Sequence, residues 1–572
     1  MQSDASTRLG VLLGAVFLAT AHSSCSDSGG SPSDPVLLLT DAEAARFLAR
    51  ASFGPSPAGV QELREAGYQA WLDGQVELPP SLMKPALLDL GCSALEPGHP
   101  ECEFIDPHIA ERDRLWWEHA VYGEDQLRQR VAFALSEIFV ISVFNAELAE
   151  YPVLIAEYYD MLAQRAFGSY RELIEEVTLH PAMGVYLSML GNRKADPVLG
   201  TRPDENYARE VMQLFSIGLV QLDAAGRPVL DELGQTIPTY TQDDIEELAR
   251  VFTGWTWSSD EPKSASLEAY QGLEPRFGRM EAWPAFHDAD EKALLGSVVL
   301  PAGLAAEVDL ALALDALASH PNVGPFLARQ LIQRLVTSNP APEYVERVAA
   351  TFNDDGKGQR GNLEAVVRAI LLDPAALGEP PADGTFGKVR EPVLRLSALW
   401  RAFETEPPTP DAKLFDDFLS AEYGGQQALY SPSVFNFFSP FYSNAELAAQ
   451  GLVAPELQVS THATLVEMAN FTDWMVRESN TATVAETLMY EEWSFPVLDL
   501  SPVASVAGDV GALVDELSRR FLASAMSSEM RAVLEAALLE VPLDDGELPP
   551  GLERAMLATS LVLVSPEFIV QQ

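Results

Sequence analysis

The sequence predicts a mainly α-helical fold: a large multi-helix globular domain with long aromatic and proline-rich loops and at most a small β-hairpin. Helix-capping signals recur before stretches whose apolar residues follow the 3.6-residue period, whereas alternating β-branched runs are few and short. Hydrophobic residues make up 47% of the chain and charged residues 21%, as in globular proteins. With 572 residues, the chain is long enough to bury a large core.

The first 24 residues are predicted to be a lipoprotein-type signal peptide. Arg8 supplies a positive charge, and Leu9 to Thr20 form an apolar run of 12 residues that is too short to span a bilayer. His22-Ser-Ser-Cys25 is similar to a bacterial lipoprotein cleavage site, although His22 stands where an aliphatic residue is usual. The similarity implies lipidation of Cys25 and anchoring in the outer membrane, facing the periplasm or the cell surface. The alternative is an ordinary secretory signal and a soluble periplasmic or secreted protein.

The rest of the chain divides into two predicted parts. Residues 25–36 are rich in serine, glycine and aspartate, which is typical of a flexible tether. Residues 37–572 are predicted to form a single helical domain, in which the helices after about residue 502 could form a C-terminal lobe. No other window is apolar over about 18 residues, so the sequence predicts no further membrane span.

Cys92 and Cys102 lie ten residues apart in a loop that contains glycine and proline. In an oxidising periplasm, this spacing would suit a local disulfide. Two unpaired thiols are the main alternative. A zinc site with His99 and His108 is a more remote one, because structural zinc sites usually contain CxxC pairs.

The chain carries 37 Lys and Arg against 84 Asp and Glu, which gives a net charge of −47. Such a surface repels nucleic-acid phosphates and anionic lipid headgroups, so we expect no nucleic-acid binding and no membrane contact beyond the lipid anchor. The acidity is typical of a surface that serves solubility. Partners with basic patches, or bound divalent cations, are the alternative explanation.

Helical signals begin early in the predicted domain. Thr40 and Glu43 form a capping pair before the first helix, and Ser56-Pro57 marks the start of the next. Further helical patterns follow through the middle of the chain and return at the C-terminus. The least helical stretch is 258–303, within which Leu294 to Leu300 predict a small hairpin. A long loop of this kind usually covers or binds something.

A central helix is predicted within residues 203–218, with Thr201 and Asp204 as its N-terminal capping signal and Gly218 as its stop. One side of this helix is apolar and includes Tyr207, Val211 and Phe215. The opposite side is densely polar and carries Glu205, Asn206, Arg209, Glu210 and Gln213. A second helix is predicted from Thr241, with Asp244 at the capping spacing.

The polar side supplies the first candidate site residues. Glu205, Asn206, Arg209 and Glu210 could orient a polar substrate, act as a general base, or bind a divalent ion through hard oxygen ligands. The alternative is a structural network, since Glu205 and Arg209 have the i,i+4 spacing of a common helix pair.

Residues His287, Asp288 and Lys292 are the second candidates. The adjacent His287 and Asp288 could bind a metal, together with Glu210, or position an acid and a base, with Lys292 as a catalytic anion contact. Anchoring of the loop is the alternative role. Trp255 and Trp257 could stack on a sugar ring as a ligand platform, although their alternative role as core aromatics is favoured. The metal and the cofactor stay unknown: the sequence has no CxxCH haem motif and no nucleotide-binding glycine motif.

Five motifs occur in an order that identifies a family resemblance. They are Ala49-Arg-Ala-Ser-Phe-Gly-Pro55; the helix from Pro203 to Glu210; Tyr240-Thr with Thr253-Gly-Trp255; His287-Asp288 with Lys292; and Ser319-His-Pro321 with Phe326-Leu-Ala-Arg329. Together they resemble the bacterial family catalogued as domain of unknown function 1800. The resemblance implies a large, exported, mostly helical protein, and no activity is carried over from it.

The resemblance also implies a partner. Members of this family are often encoded beside a second exported family, domain of unknown function 1501, which resembles sulfatase-type hydrolases. We therefore expect an uncharacterised cell-envelope lipoprotein that acts as a binding or accessory protein for a second exported protein. The alternative is a hydrolytic or metal-dependent envelope enzyme that uses the helix face from Glu205 to Glu210 with the His287 and Asp288 loop.

Overall fold

The computed structural model describes residues 39–89, 107–260, 262–381, 384–405, 424–480, 498–522, 526–544, 546 and 548–572. The predicted signal peptide, the tether, Cys25, Cys92, Cys102 and His99 lie outside the described residues. The assignments made for them therefore stay predictions.

The described residues are mainly helical, which confirms the predicted fold class. None of the described helices combines the length and the apolar composition needed to cross a bilayer. The helices are α1 Asp41–Ala51, α2 Pro57–Ala66, α3 Tyr68–Glu77, α4 Lys84–Leu88, α5 Pro107–Tyr122, α6 Gln126–Ser136, α7 Pro152–Arg165, α8 Tyr170–Leu179, α9 Pro181–Tyr186, α10 Asn206–Gln213, α11 Gln242–Val251, α12 Leu267–Gln271, α13 Ala306–Ser319, α14 Val323–Leu335, α15 Pro342–Asn353, α16 Leu363–Leu371, α17 Pro374–Leu377, α18 Pro392–Ala402, α19 Ala445–Ala448, α20 His462–Glu478, α21 Ser501–Ala504, α22 Val510–Phe521, α23 Ser528–Leu539, α24 Leu552–Leu563 and α25 Pro566–Ile569.

Short antiparallel strands form two-stranded sheets between the helices. Strand β1 (Trp255–Thr256) pairs with β2 (Glu281–Ala282), and β3 (Lys292–Leu294) pairs with β4 (Val298–Leu300). The second pair confirms the hairpin predicted at Leu294 to Leu300. Strand β5 (Lys388–Val389) pairs with β6 (Val570–Gln571), which ties the C-terminus to the middle of the chain.

Local capping signals place several helices where the sequence predicts them. Thr40 and Glu43 form a complete capping box at the start of α1. Thr241 and Asp244 form another at the start of α11. The Ser56 side chain accepts a hydrogen bond from the Gly59 N–H at the start of α2. These bonds satisfy backbone N–H groups that the first helical turn leaves without partners.

The predicted ends of the central helix were wrong. Helix α10 begins at Asn206, after Glu205, and no side chain caps it. Asp204 instead accepts a hydrogen bond from the Asn206 N–H through Oδ1, at 2.8 Å. The helix ends at Gln213, and Gly218 closes the following turn with φ +69° and an N–H bond to the Met212 carbonyl. The buried side of α10 agrees with the prediction, because Tyr207 and Val211 are buried, and so is Phe215 just after the helix.

Residues from Leu39 to Gln572 form one compact unit. Tryptophans meet edge to face in its core: the adjacent Trp116 and Trp117 of α5 have ring centroids 5.0 Å apart, and Trp117 lies 5.2 Å from Trp400 of α18. The C-terminal helices contact α18 and the residues after it, since the rings of Phe403 and Phe521 lie 5.7 Å apart. Each such aromatic pair contributes about 0.5–1.5 kcal/mol beyond its buried area.

A β-ribbon at 219–239 follows α10 and was not predicted from the sequence. Backbone hydrogen bonds join its three passes, for example from the Gln221 N–H to the Ile237 carbonyl and from the Val229 N–H to the Gln221 carbonyl. Its two turns have the same hydrogen-bond pattern. Asp223 and Asp231 each accept two backbone N–H bonds through Oδ1, and a glycine with positive φ follows three residues later.

Asn322 fixes the base of this ribbon to the helical body. Its side-chain amide donates to the carbonyls of Ile217 and Val220, at 2.8 and 2.7 Å. Its carbonyl oxygen accepts from the Leu222 N–H at 2.9 Å. The ribbon is therefore held at its root, while Leu219, Leu230 and Leu233 along it are exposed.

A fully buried charge cluster lies between α6, α14 and α18. Lys388 donates to Glu391 at 3.0 Å and contacts Glu456 at 3.3 Å. Arg334 lies 3.7 Å from Glu137, and the amide of Gln426 donates to Glu391 at 2.7 Å. These side chains are nearly inaccessible to solvent. Buried ions of this kind are tolerated only when they are paired and hydrogen-bonded.

Candidate functional site

The polar side of α10 lies at the protein surface, near the N-terminal end of the helix. Glu205 Oε2 accepts hydrogen bonds from Arg209 Nη2 at 3.1 Å and from Gln242 Nε2 at 2.9 Å. The side chains of Glu205 and Arg209 are 36% and 41% exposed, and Asn206 is also exposed. We call Glu205, Asn206, Arg209 and Glu210 the α10 face.

Glu210 differs from the other residues of the α10 face because it is only 7% exposed. Its Oε2 atom is buried and has no hydrogen-bond partner among the described residues. Burial raises the pKa of Glu210, and the charge of the neighbouring Arg209 opposes that rise. The α10 face therefore holds one acceptor whose hydrogen-bonding capacity is unused.

The second candidate group folds into a buried triad of His287, Lys292 and Asp309. Lys292 Nζ donates to Asp309 Oδ2 at 2.5 Å and to the backbone carbonyls of Asp288 and Asp290. His287 Nε2 lies 3.1 Å from the same Asp309 oxygen, and its Nδ1 lies 3.0 Å from the Thr253 carbonyl. Both ring nitrogens of His287 thus face oxygen atoms of the protein, and all three side chains are buried. Loop anchoring accounts for these contacts, and the catalytic roles of His287 and Lys292 stay predictions.

The Thr253-Gly254 pair explains why the loop folds back at His287. Thr253 Oγ1 accepts from the Asp288 N–H at 2.8 Å, which fixes the loop beside the end of α11. Gly254 has φ +82°, and a Cβ atom there would lie 2.9 Å from the backbone nitrogen of His287. Only glycine fits this close approach without displacement of the loop.

Asp288 is bound by Arg250 in the last turn of α11. The guanidinium donates through Nε at 2.9 Å and through Nη2 at 3.0 Å, one bond to each carboxylate oxygen. Burial opposes ionisation of Asp288, but these bonds and the Arg250 charge outweigh it and lower the pKa of the carboxyl group. A forked pair of this kind is among the stronger ionic contacts in proteins.

The two candidate groups bond to opposite ends of α11. Glu205 bonds to Gln242 at the first residue of the helix, whereas Asp288 bonds to Arg250 in its last turn. Eight residues of helix correspond to about 12 Å along the axis. No hydrogen bond or ion pair among the described residues joins the α10 face to the buried triad.

A shared metal site finds no support in this arrangement. Among the described residues, no three His, Cys, Asp or Glu side chains are grouped so that they could hold a metal ion. The Asp288 carboxylate is occupied by Arg250, and the His287 nitrogens face Thr253 and Asp309. Metal binding by Glu210, His287 and Asp288 stays a prediction.

Trp255 and Trp257 are both core residues by their exposure. Trp257 is 6% exposed, and its ring lies edge to face against Tyr151 at 6.2 Å. Trp255 is 3% exposed, lies on β1, and forms part of the wall of a surface cleft. Neither indole presents the open face that stacking on a sugar requires.

Sequence reasoning missed two residues that organise this region, Asp309 and Arg250. Asp309 is separated from His287 by 22 residues and reaches it only because α13 packs beside the β3–β4 hairpin. An acidic residue on the apolar side of a helix was the available signal, since Leu310, Ala313 and Leu317 of α13 are buried with it. The available signal for Arg250 was its place as the basic residue in the last turn of α11.

The fold and the site together define a mainly helical protein with an exposed polar helix face and a separate, internally paired ionic triad. The chain belongs to the family described as "Protein of unknown function (DUF1800)", whose family model matches residues 46–570. This match confirms the resemblance found in the sequence. No curated protein and no solved structure matched the chain.

Proposed function

We propose that this protein is an exported binding protein of the bacterial cell envelope that docks a second exported protein. In this proposal, lipidated Cys25 holds the chain at the outer membrane. The docking surface consists of the α10 face and the β-ribbon at 219–239. The partner is a protein with a basic surface, for which the companion family, domain of unknown function 1501, is the first candidate.

The observation that carries this proposal is the exposure of three leucines on the ribbon beside the exposed polar groups of the α10 face. Asn206, Glu205 and Arg209 of that face are open to solvent and therefore accessible to a partner. Glu210 Oε2 is shielded from solvent and is not one of the contacts proposed here.

The ribbon adds apolar contacts to this polar centre. Leu233 is 81% exposed at one of its turns, and Leu219 and Leu230 are more than half exposed. The chain just after the ribbon lies beside the α10 face: Tyr240 contacts Gln213 of α10 at 3.5 Å, and Gln242 donates to Glu205 at 2.9 Å. Exposed apolar residues next to polar groups are typical of protein–protein contact surfaces.

Charge favours a basic partner. The chain as a whole carries a net charge of −47, and the segment from Asp223 to Glu247 contains seven acidic residues against one arginine, Arg227. Opposite charge on the partner would accelerate association and select against acidic competitors. Binding should therefore weaken as ionic strength rises.

The proposal is tested by titrating the purified protein with a purified companion-family protein in a calorimeter or on a biosensor surface. The double variant Leu230→Ser with Leu233→Ser removes the apolar contacts of the ribbon. The matched control is Val533→Ser with Leu539→Ser, which changes two similarly exposed apolar residues of α23. We expect the ribbon variant to bind at least about tenfold more weakly, because one or two well-packed apolar contacts are worth about 1.5–3 kcal/mol each.

The control variant should bind like the wild type, and higher salt should weaken both. A companion protein that does not bind at all would overturn the named partner. Equal losses in the ribbon and control variants, or no loss in either, would overturn the docking surface.

A further inference from the structure

A surface cleft lies between α8, α13 and the β1–β2 sheet, away from the residues assigned above except for Trp255. Its volume is about 430 Å³. Pockets of about 300–1,000 Å³ are of the size that holds small organic ligands. The cleft is therefore large enough for one aromatic ring with a short side chain.

The inner wall of the cleft is apolar. Leu179, Met280 and Leu310 are buried and line it, together with the indole of Trp255. The Nε1 atom of Trp255 is buried and has no hydrogen-bond partner among the described residues. Such a wall favours a ligand with an apolar body.

The cations at the mouth of the cleft are already paired. Lys263 lies 3.1 Å from Glu281, and Arg279 binds Glu175 and Glu176 at 3.2 and 2.9 Å. A ligand anion would have to compete with these carboxylates. The basic residues therefore offer little to an anionic ligand.

Glu307 differs from the other charged groups of the lining because it is not paired within the described residues. It is exposed in the first turn of α13, and its carboxylate has no hydrogen bond or ion pair with any described residue. The lining as a whole carries three glutamates against one lysine and one arginine. The net charge of the chain further concentrates cations near this surface.

We propose that this cleft binds a small organic amine, with the ammonium group at Glu307 and the apolar body against Leu310 and the other apolar residues of the inner wall. The two ends of the ligand match the two kinds of wall that the cleft presents. The site is independent of the docking surface, because it uses none of the residues of the α10 face or the ribbon.

The test is calorimetric titration of the purified protein with phenethylamine, which joins an ammonium group to a phenyl ring. Phenylacetate replaces the cation by an anion, 2-phenylethanol removes the charge, and ethylamine removes the ring. We expect phenethylamine to bind more tightly than each of the three. The ammonium charge should increase the affinity by about threefold to tenfold over that of 2-phenylethanol, since Glu307 is exposed to solvent.

Two variants locate the binding. Glu307→Gln should weaken phenethylamine binding by about threefold or more and bring it to the level of 2-phenylethanol. Glu346→Gln is the matched control, since Glu346 is an exposed acid on α15 that lines no part of the cleft. Ala311→Phe places a ring inside the cleft and should abolish binding of all four probes.

Phenylacetate binding as tight as phenethylamine binding would overturn the proposal, and so would equal affinities in Glu307→Gln and Glu346→Gln. Absence of binding by all four probes would also overturn it. Because the companion-protein titration uses other residues, failure here leaves the docking proposal intact.

Discussion

Lys388 and Glu391 form an ion pair 3.0 Å long that is completely shielded from solvent. Glu456 lies 3.3 Å from the same ammonium group, and Ser338 donates to Glu456 at 3.1 Å. Glu391 stands immediately before Pro392, the first residue of α18, while Lys388 belongs to β5. The pair therefore joins the sheet that holds the C-terminus to a central helix of the core.

Loss of the Glu391 charge should strongly destabilise the protein. We expect Glu391→Gln to lower the free energy of unfolding by about 3–5 kcal/mol at pH 7, because Lys388 would keep a buried charge without its main partner. Burial opposes ionisation of Glu391, but Lys388 outweighs it and lowers the pKa of the carboxyl group. Its stabilising contribution is thus present above the unfolded-state pKa and is lost as the pH falls through the folded-state pKa.

Denaturant unfolding at pH 7 and at pH 4 measures this effect, with Glu346→Gln as the exposed control. The deficit of Glu391→Gln should be large at pH 7 and smaller at pH 4. A deficit below about 1 kcal/mol at pH 7 would contradict the assigned role of the pair, because exposed ion pairs contribute no more than that.

Asp309 is also a buried acid, and its replacement tests whether the buried triad anchors the loop. It binds both Lys292 and His287, so Asp309→Asn should lower the free energy of unfolding by about 3–5 kcal/mol. The matched change is Asp315→Asn on the same helix, whose carboxylate pairs with Arg171 and is largely exposed. We expect this control to cost less than about 1 kcal/mol in the same denaturant titration. Equal stabilities of the two variants would show that the triad does not anchor the loop.

Membrane attachment is tested at Cys25. Cys25→Ala should abolish incorporation of a labelled fatty acid and move the protein from the membrane fraction to the soluble fraction, because the predicted acyl chains are its anchor. Cys92→Ala is the control, since it removes a thiol that the lipoprotein motif does not include. Fatty-acid labelling that survives in Cys25→Ala would contradict the proposed anchor.

Much of the fold could be predicted because helix signals are local. The Thr40 and Glu43 capping box and the Thr241 and Asp244 box each depend on residues three positions apart. The apolar side of α10 likewise follows from the helical period alone. The ribbon had a local signal as well, since Asp223 and Asp231 each precede a glycine by three residues.

The site could be predicted less well because it depends on which elements pack together. The helical wheel places Glu210 on the polar side of α10, yet the neighbouring elements cover it and leave it 7% exposed. Asp309 enters the triad through the packing of α13, which no spacing within residues 287–292 indicates. The helical period predicts on which side of its own helix a side chain lies. It does not predict which residues of other elements that side chain contacts.

Glu210 offers the most direct test of the α10 face. Burial raises the pKa of this carboxyl group, so its ionised form is disfavoured in the folded state. A raised folded-state pKa means that the contribution of the group to stability is fully present below its unfolded-state pKa and is lost as the pH rises through the folded value. The Gln side chain of Glu210→Gln does not ionise, so this loss of stability at higher pH no longer occurs. We therefore expect Glu210→Gln to raise Tm at pH 7 by about 1–2 °C, with a smaller gain at pH 4.

Glu205→Gln is the matched control on the same face, because Glu205 is exposed and its pair with Arg209 contributes only about 0.2–0.5 kcal/mol. Thermal unfolding is followed in EDTA and with added Ca²⁺, Mg²⁺ or Zn²⁺, since an ion held by Glu210 would stabilise the wild type and not Glu210→Gln. A fall in Tm of several degrees for Glu210→Gln alone, with no metal present, would make this carboxylate part of the scaffold. The docking proposal does not depend on this outcome, because its contacts are the exposed leucines of the ribbon and the exposed groups of the α10 face.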